Sequence, residues 1–329
     1  MTRLMRISFC IILPGLCAGG CAWSQQPAIP AHPIALLVFV HDPQGIPIEG
    51  ATVHLALPRY REGDKDERAD AMSDRAGIAE ISGIAQLDYS TSAEKLGYYR
   101  TTGPRRSIDT PKGLQQNAVG LQKISLELRP IRNPTRGITR SVDRLRIPIF
   151  GKPLGFDLEE GDWVIPNGKG VTSDLIFTVT GYFKSLSEYN QVLTLTFADP
   201  NDGIMPVKFP PRAGSAFKFP YEAPLLGYEP SRKWHCSYDG KARQTDVDLS
   251  DETHYILRVR TERDDHGNVR RALYGIIGSE VVLGGNNDLG RNLSFTYVLN
   301  PDWTRNLEFD PKKMVEAGTG KLLVQPPPE

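Results

Sequence analysis

The chain has 329 residues, enough for about two domains with real cores. Its 39 basic and 39 acidic residues balance, which excludes a strong overall field toward a polyanion or a membrane surface. Gly (31) and Pro (26) are abundant, and short β-rich runs stand between them with no long amphipathic helical pattern, so the chain reads as all-β.

Residues 1–24 read as an export signal. Arg3 and Arg6 form a positive start, Ile7 to Leu16 an apolar stretch too short to span a bilayer, and small residues follow. Ala18-Gly19-Gly20-Cys21 resembles a lipobox, in which Cys21 would be acylated; cleavage after Ala22 or Ser24 is the alternative. Residues 25–33 carry Pro27, Pro30 and Pro33 and predict a semi-stiff tether.

Residues 34–130 predict the first domain. Leu36 to Val40 is an apolar strand, Asp42-Pro43-Gln44-Gly45 a turn, and Thr52 to Leu57 an alternating strand. Arg59 to Met72 reads as a charged loop, Ser73 to Gly77 as a turn, and Ile78 to Ile81, Gln86 to Thr91 and Gly97 to Tyr99 as short extended runs. Thr101 to Gly120 reads as a long polar loop. Lys123 to Leu128 alternates and closes the domain.

On Asp42, Gly45, Pro47, Ile48, Gly50, Ala51, Val53 and Leu55, then Asp74, Gly77, Ala79, Ile81 and Gly97-Tyr98, this region resembles the carboxypeptidase regulatory-like family. The resemblance covers roughly residues 35 to 100. It implies a transthyretin-like sandwich of seven strands, grouped with carbohydrate-binding-like folds. It implies no activity, because its motif is mostly turn chemistry.

Residues 131–313 predict a second β-sandwich-like domain. Arg132, Arg136, Arg140, Arg144 and Arg146 share even positions at its start, either as a polyanion-binding strip or as a solvated linker or blunted edge. Val171 to Thr180, Gln191 to Ala198 and Leu293 to Leu299 read as strands. Tyr255 to Thr261 and Val269 to Ile277 read as a hairpin. GFDLEEGDWV and RNLEFDPKK are similar to segments of uncharacterised bacterial envelope proteins that pair this half with such a module; no activity follows. Residues 314–329 predict a disordered tail.

Pro206 to Tyr238 interleaves prolines with aromatics and predicts a long loop. It is either an apolar cover over the sandwich or a ligand site. As a site, Trp234, Tyr228 and Tyr221 would offer ring faces to a sugar, and Lys233, Arg232 and Glu222 would supply hydrogen bonds.

Of the six histidines none begins HxxE, HxxxH or HExxH, and adjacent His235 and Cys236 would point to opposite faces of a strand, so no zinc is expected. Asp157, Glu159, Glu160 and Asp162 form an acidic turn, either solvated or calcium-binding. No GxSxG, GxGxxG or phosphate loop occurs, so neither catalytic residues nor a cofactor are expected. Cys236 reads as a buried, inert thiol. The expectation is an exported envelope protein of the periplasm, outer membrane or cell surface. It would work by binding or adhesion to a glycan or envelope component, with no nucleic-acid partner and membrane contact only through Cys21. A glycan-acting hydrolase and a purely structural lipoprotein are the alternatives.

Overall fold

Three Asp-x-x-Gly turns set the strand reversals. The Asp42 carboxylate accepts from the backbone N–H of Gln44 (2.9 Å) and Ile46 (2.8 Å). Asp74 holds Ala76 and Ile78 (2.9 Å each), and Asp264 holds His266 (2.9 Å) and Asn268 (2.8 Å). A glycine at positive φ closes each turn: Gly45 at 80°, Gly77 at 72°, Gly267 at 81°. At Gly77 a Cβ would lie 2.4 Å from the Val40 carbonyl oxygen, so only glycine fits without moving the neighbouring strand.

The structure is a computed structural model that describes residues 29–60, 63, 65–108, 121–209, 213–245, 253–278, 281–284 and 292–323. The export signal with Cys21, residues 109–120 of the polar loop and the Pro326–Pro328 run lie outside the described residues. Among the described residues every regular element is a strand, so the all-β expectation holds.

The first domain is a sandwich. One sheet runs in the order Ile78–Ala85, His32–His41, Gln122–Glu127. The facing sheet runs Glu67–Met72, Thr52–Leu57, Asp88–Glu94, Thr101–Thr102, with Arg106–Ser107 also on Asp88–Glu94. Leu36, Val38 and Val40 meet Val53, Leu55 and Tyr89 between them. Among the described residues this gives six strands of six or more residues plus short edge strands.

Two further expectations change here. His32 and Pro33 are strand, not tether, paired with Ala85 and Ile84. Among the described residues Pro33 has a strand neighbour on one side only, because pairing with Gln122–Glu127 starts at Leu36, so the missing N–H is tolerated. Within the charged stretch Glu67–Met72 is an edge strand whose Ala69 and Ala71 pack on the core. Its charges face solvent, as edge strands require, and two alanines are a faint apolar signal.

The second sandwich pairs a seven-stranded and a six-stranded sheet. The first runs Gly203–Lys208, Thr253–Arg263, Val269–Ile277, Asn292–Asn300, Thr135–Arg146, Phe309–Glu316, with Val282–Leu283 on Asn292–Asn300. The other runs Asp162–Trp163, Leu154–Asp157, Leu175–Ser185, Glu188–Thr196, Ser231–Tyr238, Arg243–Thr245. Phe156 lies at the centre of their core, edge-on to Trp163 (5.7 Å), Phe295 (5.5 Å) and Tyr297 (6.2 Å).

Three corrections follow. Thr135–Arg146 is an interior strand, not a linker. Its alternation breaks at a bulge between Val142 and Leu145, with Arg144 at φ 49°, so the five arginines do not share one face. Arg132 lies over the Tyr221 ring and Arg136 pairs with Asp302. The tail is strand through Glu316, paired parallel with Gly137 to Thr139, and Ala317 is buried. Ser231–Tyr238, expected as loop, is an eight-residue strand beside Glu188–Thr196; prolines flank it at 224 and 230 without entering it.

The seven-stranded sheet is apolar on both faces. Tyr255, Leu257, Leu273 and Phe295 point into the sandwich. Ile256, Ala272 and Tyr274 point outward and are covered by Phe217, Phe219 and Ala223. Phe209 and residues 213–228 therefore form an apolar cover, and burying each such phenylalanine contributes about 2 kcal/mol.

Candidate functional site

The cover does more than bury one face, because it reaches the first domain. Gly214–Ser215 adds antiparallel to Thr101–Thr102 at the edge of the first domain's sheet. Nearby Arg129–Pro130 pairs with Tyr98–Tyr99. Arg129 Nη1 donates to the carbonyls of Phe217 (2.9 Å) and Phe219 (2.7 Å). Its guanidinium lies 4.6 Å from the ring centroids of both Phe217 and Tyr221, and that of Arg132 lies 3.9 Å from Tyr221. The Tyr221 hydroxyl donates to the Pro130 carbonyl at 2.5 Å.

Below this layer Glu308, 1% exposed, ties the joint. It accepts from the Tyr99 hydroxyl (2.9 Å) and from the backbone N–H of Arg132 (2.9 Å) and Asn133 (2.7 Å). Burial, then the Glu308 hydrogen bond, push the Tyr99 hydroxyl's pKa well up, so it stays a donor. The two domains thus meet in a hydrogen-bonded, aromatic seam.

Beside the seam opens a pocket of about 320 Å3. The first domain contributes Thr102, Ser125, Glu127 and Arg129; the cover contributes Phe209, Phe217 and Lys218. Thr102, Ser125 and Glu127 are exposed, while Phe209, Lys218 and Arg129 are half-buried. Hydroxyls, one carboxylate and two cations therefore surround two phenyl rings. Such a wall offers apolar ring area with donors and acceptors at its rim, in a space at the lower end of ligand-site volumes and at a domain junction.

The six residues expected to bind a ligand do not come together. Trp234 is 3% exposed in the sandwich core, with its Nε1 donating to the Tyr255 hydroxyl at 3.1 Å, so it has no ring face to offer. Tyr228 is half-buried against Tyr274, with Arg258 4.4 Å from its ring; burial pushes its hydroxyl's pKa up. Glu222 pairs with Arg305, and Arg232 with Glu229. Lys233 is exposed on strand Ser231–Tyr238. Of the six, Tyr221 reaches the seam. Phe209 and Phe217 belong to the same aromatic stretch, but their partnership with the first domain depends on the Gly214–Ser215 pairing, for which the sequence carries no marker. Ser125 and Glu127 were open to detection as the outward positions of the alternating Lys123 to Leu128 run.

A second aromatic run crosses three strands: Phe183 faces Tyr189, and Tyr189 faces Tyr238, with centroids 5.7 and 6.3 Å apart. These half-buried rings share the sheet face of Leu193 and Trp234.

The acidic turn is filled by a side chain. Arg260 Nε donates to Asp174 Oδ1 (2.7 Å), Nη2 to Asp174 Oδ2 (2.9 Å) and Asp157 Oδ1 (3.2 Å), and Nη1 to Glu159. Asp157 Oδ2 accepts from the N–H of Val171 and Thr172, both at 2.9 Å. Burial alone would raise the Asp157 pKa; the backbone donors and Arg260 bring it below the usual carboxylate range. Burial raises that of Asp174 despite Arg260. The guanidinium occupies the centre that a calcium ion would need. His235 Nε2 bonds Asn190 Oδ1 at 3.0 Å on the face opposite buried Cys236. Among the described residues no group of three or more His, Cys, Asp or Glu side chains could hold a metal ion.

No protein-family model matches the chain, and neither does any curated protein. Among solved structures, an intradiol ring-cleavage dioxygenase from Tetranychus urticae is similar over 32% of this chain and 84% of its own, at 8% identity and TM-score 0.21. A DUF3823 family protein from Parabacteroides merdae is similar over 82% of this chain and 98% of its own, at 9% identity and TM-score 0.21. The major pilin subunit of Bacillus cereus is similar over 87% of this chain and 99% of its own, at 10% identity and TM-score 0.20. TM-scores this low fix neither fold nor function.

Proposed function

We propose that this chain is an exported, non-enzymatic binding protein of the bacterial cell envelope and that its interdomain pocket holds a carbohydrate. One observation carries the reading: the pocket sets the Phe209 and Phe217 rings among Thr102, Ser125, Glu127, Arg129 and Lys218. Sugars present apolar C–H faces edged by hydroxyls. A rigid ring matches the first at small entropy cost, and side chains held by a joint match the second with little further ordering. Cys21, where acylated, supplies the contact with the membrane, and no nucleic acid takes part.

A glycan hydrolase is the weaker reading. It needs two carboxyl groups about 5 to 10 Å apart across a substrate groove. Asp157, Glu159 and Asp174 instead converge on one guanidinium.

The test is a glycan array probed with the mature chain and with Ser125→Trp, which places an indole at the pocket mouth from an exposed position. The reading expects a defined set of glycans bound by wild type and lost in the variant. A blank array, or an unchanged pattern in folded Ser125→Trp, refutes it.

A further inference from the structure

A second pocket, of about 310 Å3, abuts the first: Phe209, Phe217 and Lys218 line both. Its chemistry is different. Its remaining walls include Ile276, Val298, Leu307, Phe309 and Met314 on the outer side of the seven-stranded sheet, with Phe219 from the cover. His254 contributes an imidazole flanked by the rings of Phe209 (5.1 Å) and Phe219 (5.8 Å). A buried water needs two to four polar partners, and apolar cavities of about 150 Å3 lined by Leu, Ile and Phe stay dry and take up hydrocarbon. This pocket has roughly twice that volume.

We propose that the ligand is an amphiphile: a sugar in the polar pocket bearing an alkyl or acyl chain that lies in the apolar one. The proposal rests on the carbohydrate reading of the first pocket. A sugar alone fills the polar pocket and leaves the apolar one unfilled. A chain alone makes no use of the polar wall of Thr102, Ser125, Glu127 and Arg129. A glycolipid-like molecule satisfies both walls at once, and the shared rings of Phe209 and Phe217 lie at the junction of head and tail.

Gly278 makes the test clean. It lines the apolar pocket, and a Cβ built on it meets nothing within 4 Å. Gly278→Phe therefore adds a ring at the pocket wall from a position with open space at its Cβ. The probes are methyl and n-octyl glycosides of glucose, galactose, mannose and N-acetylglucosamine, the octyl forms below their micelle concentrations, with octanoate as a chain lacking sugar. Calorimetry on the full mature chain is expected to show an octyl glycoside binding at least tenfold more tightly than its methyl counterpart. Gly278→Phe removes that gain and leaves methyl glycoside affinity unchanged. Equal affinity for methyl and octyl forms overturns the amphiphile while the carbohydrate reading stands. An undiminished octyl gain in folded Gly278→Phe overturns the assignment of the chain to this pocket. Octanoate binding as tightly as the octyl glycoside, or no binding by any probe, overturns the amphiphile and the carbohydrate reading together.

Discussion

Arg260 and Arg129 each carry one guanidinium at a junction between two sheets, and their surroundings differ in kind. Arg260 joins the two sheets of the second sandwich: it stands on Thr253–Arg263, and Asp157, Glu159 and Asp174 come from the facing sheet and its loops. Its backbone is held at φ 54°, and its N–H donates to Asp202 at 3.0 Å. Charge meets charge there, and the cluster is closed. Arg129 joins the two domains, and its partners are two carbonyl oxygens and two rings beside an open pocket. A closed ion cluster fixes architecture. A cation seated on rings at a pocket rim leaves chemistry available to a ligand.

Breaking the closed cluster has the largest expected effect. Arg260→Met leaves the fully buried Asp174 without its counter-charge and is expected to destabilise the second domain by about 4 kcal/mol. Chemical denaturation measures it. A loss under about 1 kcal/mol would show that the cluster is solvated and not a clasp.

Trp234→Ala comes next, at about 3 kcal/mol of stability, with glycan affinity of the folded fraction unchanged. Melting and titration on the same sample separate the two. Lost affinity at intact stability would return Trp234 to the binding site.

The acidic turn sharpens the comparison through pH. The folded pKa of Asp157 lies below its unfolded value of about 3.9. Its contribution is therefore complete above that value and is lost as pH falls through the lowered folded one. Asp174, raised by burial, runs the other way and loses contribution as pH rises through its folded value. Asp157→Asn is expected to lower the melting temperature at pH 7 and to converge with wild type as pH falls toward 3. A constant difference across that range would contradict the assignment.

The smallest effect concerns the open junction. Glu127→Ala removes an exposed carboxylate from the pocket wall and is expected to weaken glycan binding about tenfold, or about 1.4 kcal/mol, with stability unchanged. Titration calorimetry reads it, and unaltered affinity would remove Glu127 from the site.

Much of the architecture was legible in the chain because it is written locally. Asp42, Asp74 and Asp264 announce their turns, and the Thr52 to Leu57 and Tyr255 to Thr261 runs alternate. What escaped is non-local. Thr135–Arg146 looks like a charged linker because Arg136 is spent on Asp302 and Arg144 sits in a bulge. Phe309–Glu316 carries two lysines and no apolar period, and becomes a strand by pairing with Gly137 to Thr139. Trp234 and Tyr221 look equivalent in a Pro-rich aromatic stretch. One enters a strand that faces the core, and the other meets Arg129 from a different domain. That divergence is set by contacts across about 90 residues, which no local pattern encodes.

The most direct measurement is hydrogen exchange with and without the best array glycan. The account predicts new protection in peptides covering Thr101 to Pro104, Ser125 to Arg129 and Ala213 to Lys218, the walls of the interdomain pocket. Protection confined to the strand Ser231–Tyr238, or to Tyr182 through Tyr189, would contradict it.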